Sequence, residues 1–241
     1  GWKKPDCWKT SPNLVKMINQ FNTEVRWVQT TLLQEKKLAR RIRFLMKFID
    51  IAYKCQQIRN FHTLAAIHSA LIAKRIMNLP VFFFFSSLLL LHIIYIHIYM
   101  HMHIVDIIQW DGLKVQQRES WDKFQNLFDW KKDALFELQE RCESPAIPYL
   151  PLFCAQFFKI EESQEYKLGD GSINRRKLQL LVQRAERFVQ YKQVIGYHFP
   201  IKYDYQSLLL KEWKELQNVQ EEHLEMLADL VGRNAKLNKK I

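Results

Sequence analysis

The sequence predicts an all-α protein, and three observations predict it. Apolar residues recur at steps of three and four along most of the 241-residue chain, the spacing that lines one face of a helix. Glycine and proline are scarce, six and seven in all, which excludes collagen-like and low-complexity chains. Hydrophobic residues make up 48% and charged residues 25%, enough to bury a sizeable core and to exclude wholesale disorder.

The elements follow in order. Ser11-Pro12 opens the first helix, with Ser at the cap and Pro in the first turn. Leu14, Met17, Ile18, Phe21, Val25, Val28 and Leu32 then form its buried stripe. A second helix is expected over about 35–58, with a stripe through Leu38, Ile42, Leu45, Met46, Ile49, Ala52 and Tyr53. Lys36, Lys37, Arg40, Arg41 and Lys47 fall largely outside that stripe. A third begins near Asn60 or Phe61 and carries Leu64, Ile67, His68 and Leu71. One helix is expected over about 119–141, through Trp121, Phe124, Phe128, Leu135 and Leu138. Pro145 and Pro148 stop it and leave an extended link. A helix around 153–162, a polar turn at Gly169-Asp170-Gly171 and a long helix over about 174–192 come next. A final stretch over 207–230 is rich in charge pairs, with Gly232 as its C-cap.

Lys and Arg number 36 against 25 Asp and Glu, a net charge of +11. The cations are spread along the helices and no base-stacking motif is present, so nucleic-acid binding is disfavoured. Peripheral contact with an anionic membrane face, or with an acidic protein partner, fits the charge better. Cys7, Cys55, Cys142 and Cys154 lie far apart with no CxxC pair, which argues against a disulfide framework or zinc ribbon and for reduced, cytosolic thiols. The opening Gly1-Trp2-Lys3-Lys4-Pro5-Asp6 has no signal-peptide core, and without an initiating Met the expectation is a portion of something longer.

One segment breaks the pattern. Val81–Val105 contains no Asp, Glu, Lys or Arg. It reads as a membrane span, as a fully buried helix, or as a segment foreign to the evolved domain. The third reading is favoured by codon logic. Residues 82–91 can all be encoded by pyrimidines alone, and 94–104 by an alternating purine–pyrimidine tract, as in a retained intron or a gene-model error. His92, His97, His101 and His103 include an i,i+4 pair, but the repeat accounts for them without a metal. A literal chain carrying this segment is expected to aggregate or to be poorly ordered around 80–110.

With the insert set aside, the flanks read as one series. It runs Ser11-Pro12-Asn13-Leu14, Phe21-Asn22, Trp27-Val28, Phe48-Ile49-Asp50-Ile51-Ala52 and Asn60-Phe61-His62-Thr63-Leu64-Ala65-Ala66-Ile67. After the insert come Ala146-Ile147-Pro148-Tyr149-Leu150, Phe158-Lys159-Ile160-Glu161-Glu162, Gly171-Ser172-Ile173-Asn174 and Val189-Gln190-Tyr191. In order and spacing these motifs resemble the catalytic domain of Ras-family guanine-nucleotide exchange factors, the RasGEF domain, over about 1–78 and 114–230. The resemblance implies a single all-helical domain over 1–241, interrupted at about 80–110 and lacking the family's first helix. It implies a protruding helical hairpin built from about 153–162 and 174–192.

The function implied is promotion of GDP release from a Ras-like small GTPase, of Ras, Rap or Ral type. The hairpin would act as a wedge at the GTPase's magnesium and phosphate site, with no covalent chemistry of its own. GDP, GTP and magnesium would belong to the partner, and no cofactor to this chain. By position in the motifs, Phe158 would be the apolar hairpin residue near the magnesium site and Glu162 the carboxylate that engages the phosphate loop. Gln164 would be a polar neighbour, and Asn60 would couple the hairpin to the GTPase-contacting core. Taken singly, Phe158 reads as a core aromatic, Glu162 as a solvated carboxylate and Asn60 as a helix cap. Their joint match carries the assignment.

The sequence departs from the family at Arg59 and Ser163, where the family has Asn and Gly, and at Arg175, where it has an aromatic. Arg175 is expected to loosen the packing of the long helix. Two other functions remain open on the sequence: a degenerate scaffold that binds a partner without exchange, and a single-span membrane protein. A conventional enzyme is disfavoured, since nucleophile-elbow, Walker, HExxH and glycine-rich phosphate-binding motifs are absent. The expected location is cytoplasmic, with recruitment to the inner face of the plasma membrane.

Overall fold

The computed structural model describes residues 9, 11–77, 79, 114–129, 131–142, 145–163, 165–192, 196–217 and 219–237. The apolar run, its histidines and the expectation of aggregation or poor order around 80–110 lie outside the described residues. So do Cys7 and Gln164.

Ten helices follow one another among the described residues: α1 (Pro12–Gln34), α2 (Leu38–Gln57), α3 (Phe61–Leu71), α4 (Lys74–Met77), α5 (Val115–Leu127), α6 (Ala134–Arg141), α7 (Leu150–Ser163), α8 (Arg175–Lys192), α9 (Tyr203–Leu216) and α10 (Glu221–Leu237). Extended pairing there is limited to two isolated backbone bridges, Asn60 with Ile147 and Lys167 with Ile173. The all-α class is as the periodicity predicts. Among the described residues no helix is long and apolar enough to cross a membrane.

The described residues form two compact units. The first draws on Gly1–Ala52, Ala66–Asp122 and Lys202–Ile241. In it α1 packs against α4, α9 and α10. Val28, Leu32 and Leu33 of α1, Phe48 and Ile49 of α2, Ile67 and Leu71 of α3, and Leu224 of α10 are all but inaccessible. Trp27 stands edge-on to Phe48 and Trp213, at 5.2 and 6.4 Å between ring centroids, and its indole N–H donates to Glu212 at 3.0 Å. Arg75 pairs with Glu221, and with Glu225 at 3.4 Å, which ties α4 to the first turns of α10. His68 stacks on Trp121 at 5.6 Å.

The second unit comprises Tyr53–Ala65 and Lys123–Ile201. Its core holds Cys55, Phe61, Leu64, Phe124, Leu135, Leu150, Phe153 and Ile160. Phe153 of α7 meets Phe188 and Tyr191 of α8 edge-on, at 5.6 and 5.7 Å. The early part of one helix thus faces the late part of the other, so α7 and α8 form an antiparallel hairpin. Buried Gln139 joins α6 to this pair. Its side-chain carbonyl accepts the Tyr149 N–H at 2.6 Å, and its backbone carbonyl accepts the Tyr191 hydroxyl at 2.6 Å and Arg187 at 2.7 Å.

Four sequence expectations are corrected. Arg41 is buried: its guanidinium donates to the carbonyls of Leu32, at 3.1 Å, and Glu35. It closes the end of α1, whose last carbonyls lack helical partners. Ile18 of the predicted stripe is 45% exposed, because burial along α1 sets in further on, from Thr23. The helix expected over 119–141 is two helices, α5 and α6. They are separated by a turn in which the Asp129 carboxylate accepts the Lys131 N–H at 3.0 Å and Asp133 sits at φ 47°. The last stretch is likewise two helices, and α10 runs through Gly232 to Leu237 instead of capping there. A helical glycine costs only about 1 kcal/mol against alanine, too little to force a stop.

Candidate functional site

The α7–α8 hairpin carries the residues singled out by motif. Pro148 bars helix before it, and α7 starts at Leu150 with Pro151 in its first turn, where no N–H is needed. Phe153 and Ile160 are the buried side of the helix, and Phe153 lies on α8. At 3.6 residues per turn, Phe158 sits about 140° and Glu162 about 180° around from Phe153. The two are i,i+4 neighbours on the side away from α8. Phe158 is half-buried and Glu162 is exposed. An apolar ring and a carboxylate one turn apart therefore share a face at the end of α7.

The far end of the hairpin is closed by a small turn. Leu168 N–H donates to the Ser172 carbonyl at 2.8 Å, and the Asp170 carboxylate accepts the Ser172 N–H and hydroxyl at 2.9 and 2.6 Å. These bonds hold the Asp170 carboxyl below its ordinary value. Gly171 takes φ 81°, which glycine adopts without strain. The polar turn read from the sequence is thus present. Asn174 caps α8, its side-chain oxygen accepting the Lys177 N–H at 3.1 Å.

Arg175, expected to loosen α8, points to solvent at the first helical position. The inward residue is Lys177, 1% exposed. Its ammonium donates to the Glu161 carbonyl at 3.0 Å, lies 3.5 Å from the Glu161 carboxylate, and sits 3.7 Å from the centroid of the Tyr166 ring. The Tyr166 hydroxyl donates to Glu161 at 2.6 Å, and that bond raises the Tyr166 phenol above its ordinary value. Sequence reasoning missed this cluster. Arg175-Arg176-Lys177 reads as a solvated cationic run, and nothing in it marks which cation turns inward.

Asn60 belongs to the base of the hairpin. Its side-chain oxygen accepts the Thr63 N–H at 3.1 Å, so it caps α3. Its backbone pairs with Ile147, three residues before α7: Phe61 N–H donates to Ile147 O, and Ile147 N–H to Arg59 O, both at 2.9 Å. Arg59 sits at φ 59°, a left-handed backbone that Asn tolerates better than Arg. The structure thus gathers Asn60, Phe158 and Glu162 in one unit, with Asn60 at one end of α7 and Glu162 at the other.

Residues 1–179, which include Asn60, α7 and the start of α8, are matched by the model of the RasGEF domain family. The chain belongs to the RasGEF domain family. Its relatives include the Ras guanine nucleotide exchange factors P and D of Dictyostelium discoideum. Each is 26% identical, over 196 and 186 residues, or 80% and 76% of this chain. The Ras guanine nucleotide exchange factor J of the same organism is 39% identical over 80 residues, 33% of this chain. The matched stretches span 11%, 24% and 10% of those relatives' lengths.

Among the described residues, no group of His, Cys, Asp and Glu is arranged to hold a metal ion. Cys55, Cys142 and Cys154 form no disulfide.

Proposed function

We propose that this chain promotes release of GDP from a Ras-family small GTPase, acting through the α7–α8 hairpin. The carrying observation is that Phe158 and Glu162, matched to the family's hairpin motif, share the side of α7 turned away from α8. The relatives' names, Ras guanine nucleotide exchange factors, support the same activity and a Ras-type partner. In this reading the whole chain is one RasGEF domain with the 80–110 segment as an interruption.

A Ras-type GTPase holds its nucleotide by backbone and lysine contacts to the phosphates and by a bound magnesium ion. Both nucleotide and metal belong to the GTPase. Placing a phenyl ring at the magnesium position removes a cation's partners, and placing a carboxylate near the phosphate loop repels the phosphates and offers the loop's lysine another acceptor. The exchange factor then binds the nucleotide-free GTPase more tightly than the loaded one. By linkage, nucleotide and exchange factor weaken each other's binding by the same factor. Nothing covalent is made or broken, so direction comes from the cellular excess of GTP. Asn60 holds the base of α7 in place, and Gln164 is assigned as a polar contact beside Glu162. The site of action is cytoplasmic, at the anionic inner membrane face, where the net charge of +11 favours residence.

The test is release of fluorescent GDP from a panel of Ras, Rap and Ral proteins. Acceleration on one of them that disappears with Glu162→Lys is the expected result. Binding of the nucleotide-free GTPase with no acceleration on any member would instead favour a scaffold.

A further inference from the structure

We propose that Lys177 is a positioning residue for exchange: by engaging Glu161 it fixes the last turn of α7 and leaves Glu162 as the carboxylate presented to the GTPase. This rests on the role given to Glu162 above. Two consecutive glutamates stand in the last turn of α7, and by residue type they are equivalent. Their surroundings are not. Glu161 receives the Tyr166 hydroxyl at 2.6 Å and the Lys177 ammonium at 3.5 Å on its side chain, and the same ammonium at 3.0 Å on its backbone carbonyl. Glu162 is exposed and meets no partner among the described residues. Successive helix positions point about 100° apart, so engaging one aims the other elsewhere.

The chemistry explains why a lysine is kept there. A buried ammonium is costly unless it is paired and hydrogen-bonded. Here a carbonyl, a carboxylate and an aromatic face surround it. The carbonyl lies in the last turn of α7, where helical partners have run out and the helix dipole favours a cation. Lys177 itself is held by the Asn174 cap one turn back. The start of α8, the ring of Tyr166 and the end of α7 are therefore locked together. Without the ammonium, Glu161 loses its cationic partner and the last turn of α7 loses its clamp.

The experiment measures fluorescent GDP release from the responsive GTPase with the full chain and five variants: Glu162→Gln, Lys177→Met, Tyr166→Phe, Glu161→Gln and the double variant Glu162→Gln/Lys177→Met. Circular dichroism melts check that each folds. Lys177→Met is expected to slow exchange by about tenfold or more, the usual scale for losing hydrogen bonds to a charged group. Tyr166→Phe should slow it less. The double variant should be no slower than Glu162→Gln alone, because both changes remove the same contribution. Multiplying effects in the double variant, or full activity of Lys177→Met beside a slow Glu162→Gln, would overturn the positioning role and leave the exchange function standing. Full activity of Glu162→Gln would overturn the role of Glu162 and this proposal with it. If Lys177→Met does not fold, Glu161→Gln decides: slowing as severe as that of Glu162→Gln contradicts the division of labour between the two glutamates.

Discussion

The carbonyl of Ile147 accepts the N–H of Phe61 at 2.9 Å, and the N–H of Ile147 returns a bond of equal length to Arg59. Through this bridge the segment that launches α7 is stitched to the residue that caps α3. Two motifs far apart in sequence thereby become one structural joint, with Asn60 at its centre.

Asn60→Ala should destabilise the protein by about 1 kcal/mol, the usual cost of losing an N-cap. Asn60→Asp, which keeps the acceptor for Thr63 N–H, should recover most of it. Denaturant unfolding of the three proteins measures this. An exchange defect in Asn60→Asp at unchanged stability would reveal a direct contact of the amide with the GTPase.

Arg59→Asn should raise the unfolding midpoint. A left-handed conformation costs an ordinary side chain roughly 1 kcal/mol or more, and Asn pays less of it. Arg59 is held there at φ 59° by the joint on either side. Thermal melts at neutral pH give the answer, and an unchanged or lower midpoint would mean that the arginine's own contacts outweigh the strain.

Arg41→Ala should cost about 1–3 kcal/mol, because the buried carbonyl of Leu32 and that of Glu35 lose their donor. Arg41→Lys should rescue it poorly, since one ammonium cannot reproduce a planar fork of donors. Urea denaturation of both variants separates the two outcomes.

Alkaline pH should destabilise the fold in a way that Tyr191→Phe blunts. The Tyr191 phenol is raised above its ordinary value near 10, first by burial and then by the Cys142 thiol 3.6 Å away. Above pH 10 the unfolded chain releases this proton while the folded chain keeps it, so folded stability falls as pH rises. Below that value both states are protonated and the slope vanishes. Stability curves from pH 8 to 11 should steepen downward above about 10 in the parent and less so in Tyr191→Phe.

The helical class was legible because apolar spacing reports burial on one side of an element, and that pattern survives in α3 and in α2 from Leu45 on, though Leu38 of the predicted stripe is exposed. The hairpin and its polar turn were legible because proline, glycine and the Asn174 cap punctuate them. Asn60 was legible twice over, as a motif residue and as a cap, and the structure bears out the cap. The break at Asp129–Asp133 was not, because no proline marks it and its turn is held by side-chain and backbone bonds that spacing does not encode. Arg41 and Lys177 were missed for a common reason. Both are cations in basic runs, and which member of such a run turns inward depends on carbonyls left over at the end of another helix. Phe158 and Glu162 could be placed on one face by counting, but the engagement of Glu161 by Lys177 and Tyr166 is visible only in the structure.

The indole of Trp27 reaches Glu212 across 185 residues of sequence. The packing of α1 is therefore completed by helices made near the end of this stretch of chain. During synthesis, at roughly 5–20 residues per second, α1 waits some ten to forty seconds for α9 and α10. The interval is a window for chaperone engagement, and a ribosome stalled before Tyr203 would hold a nascent chain whose first helix lacks the cover of α9 and α10.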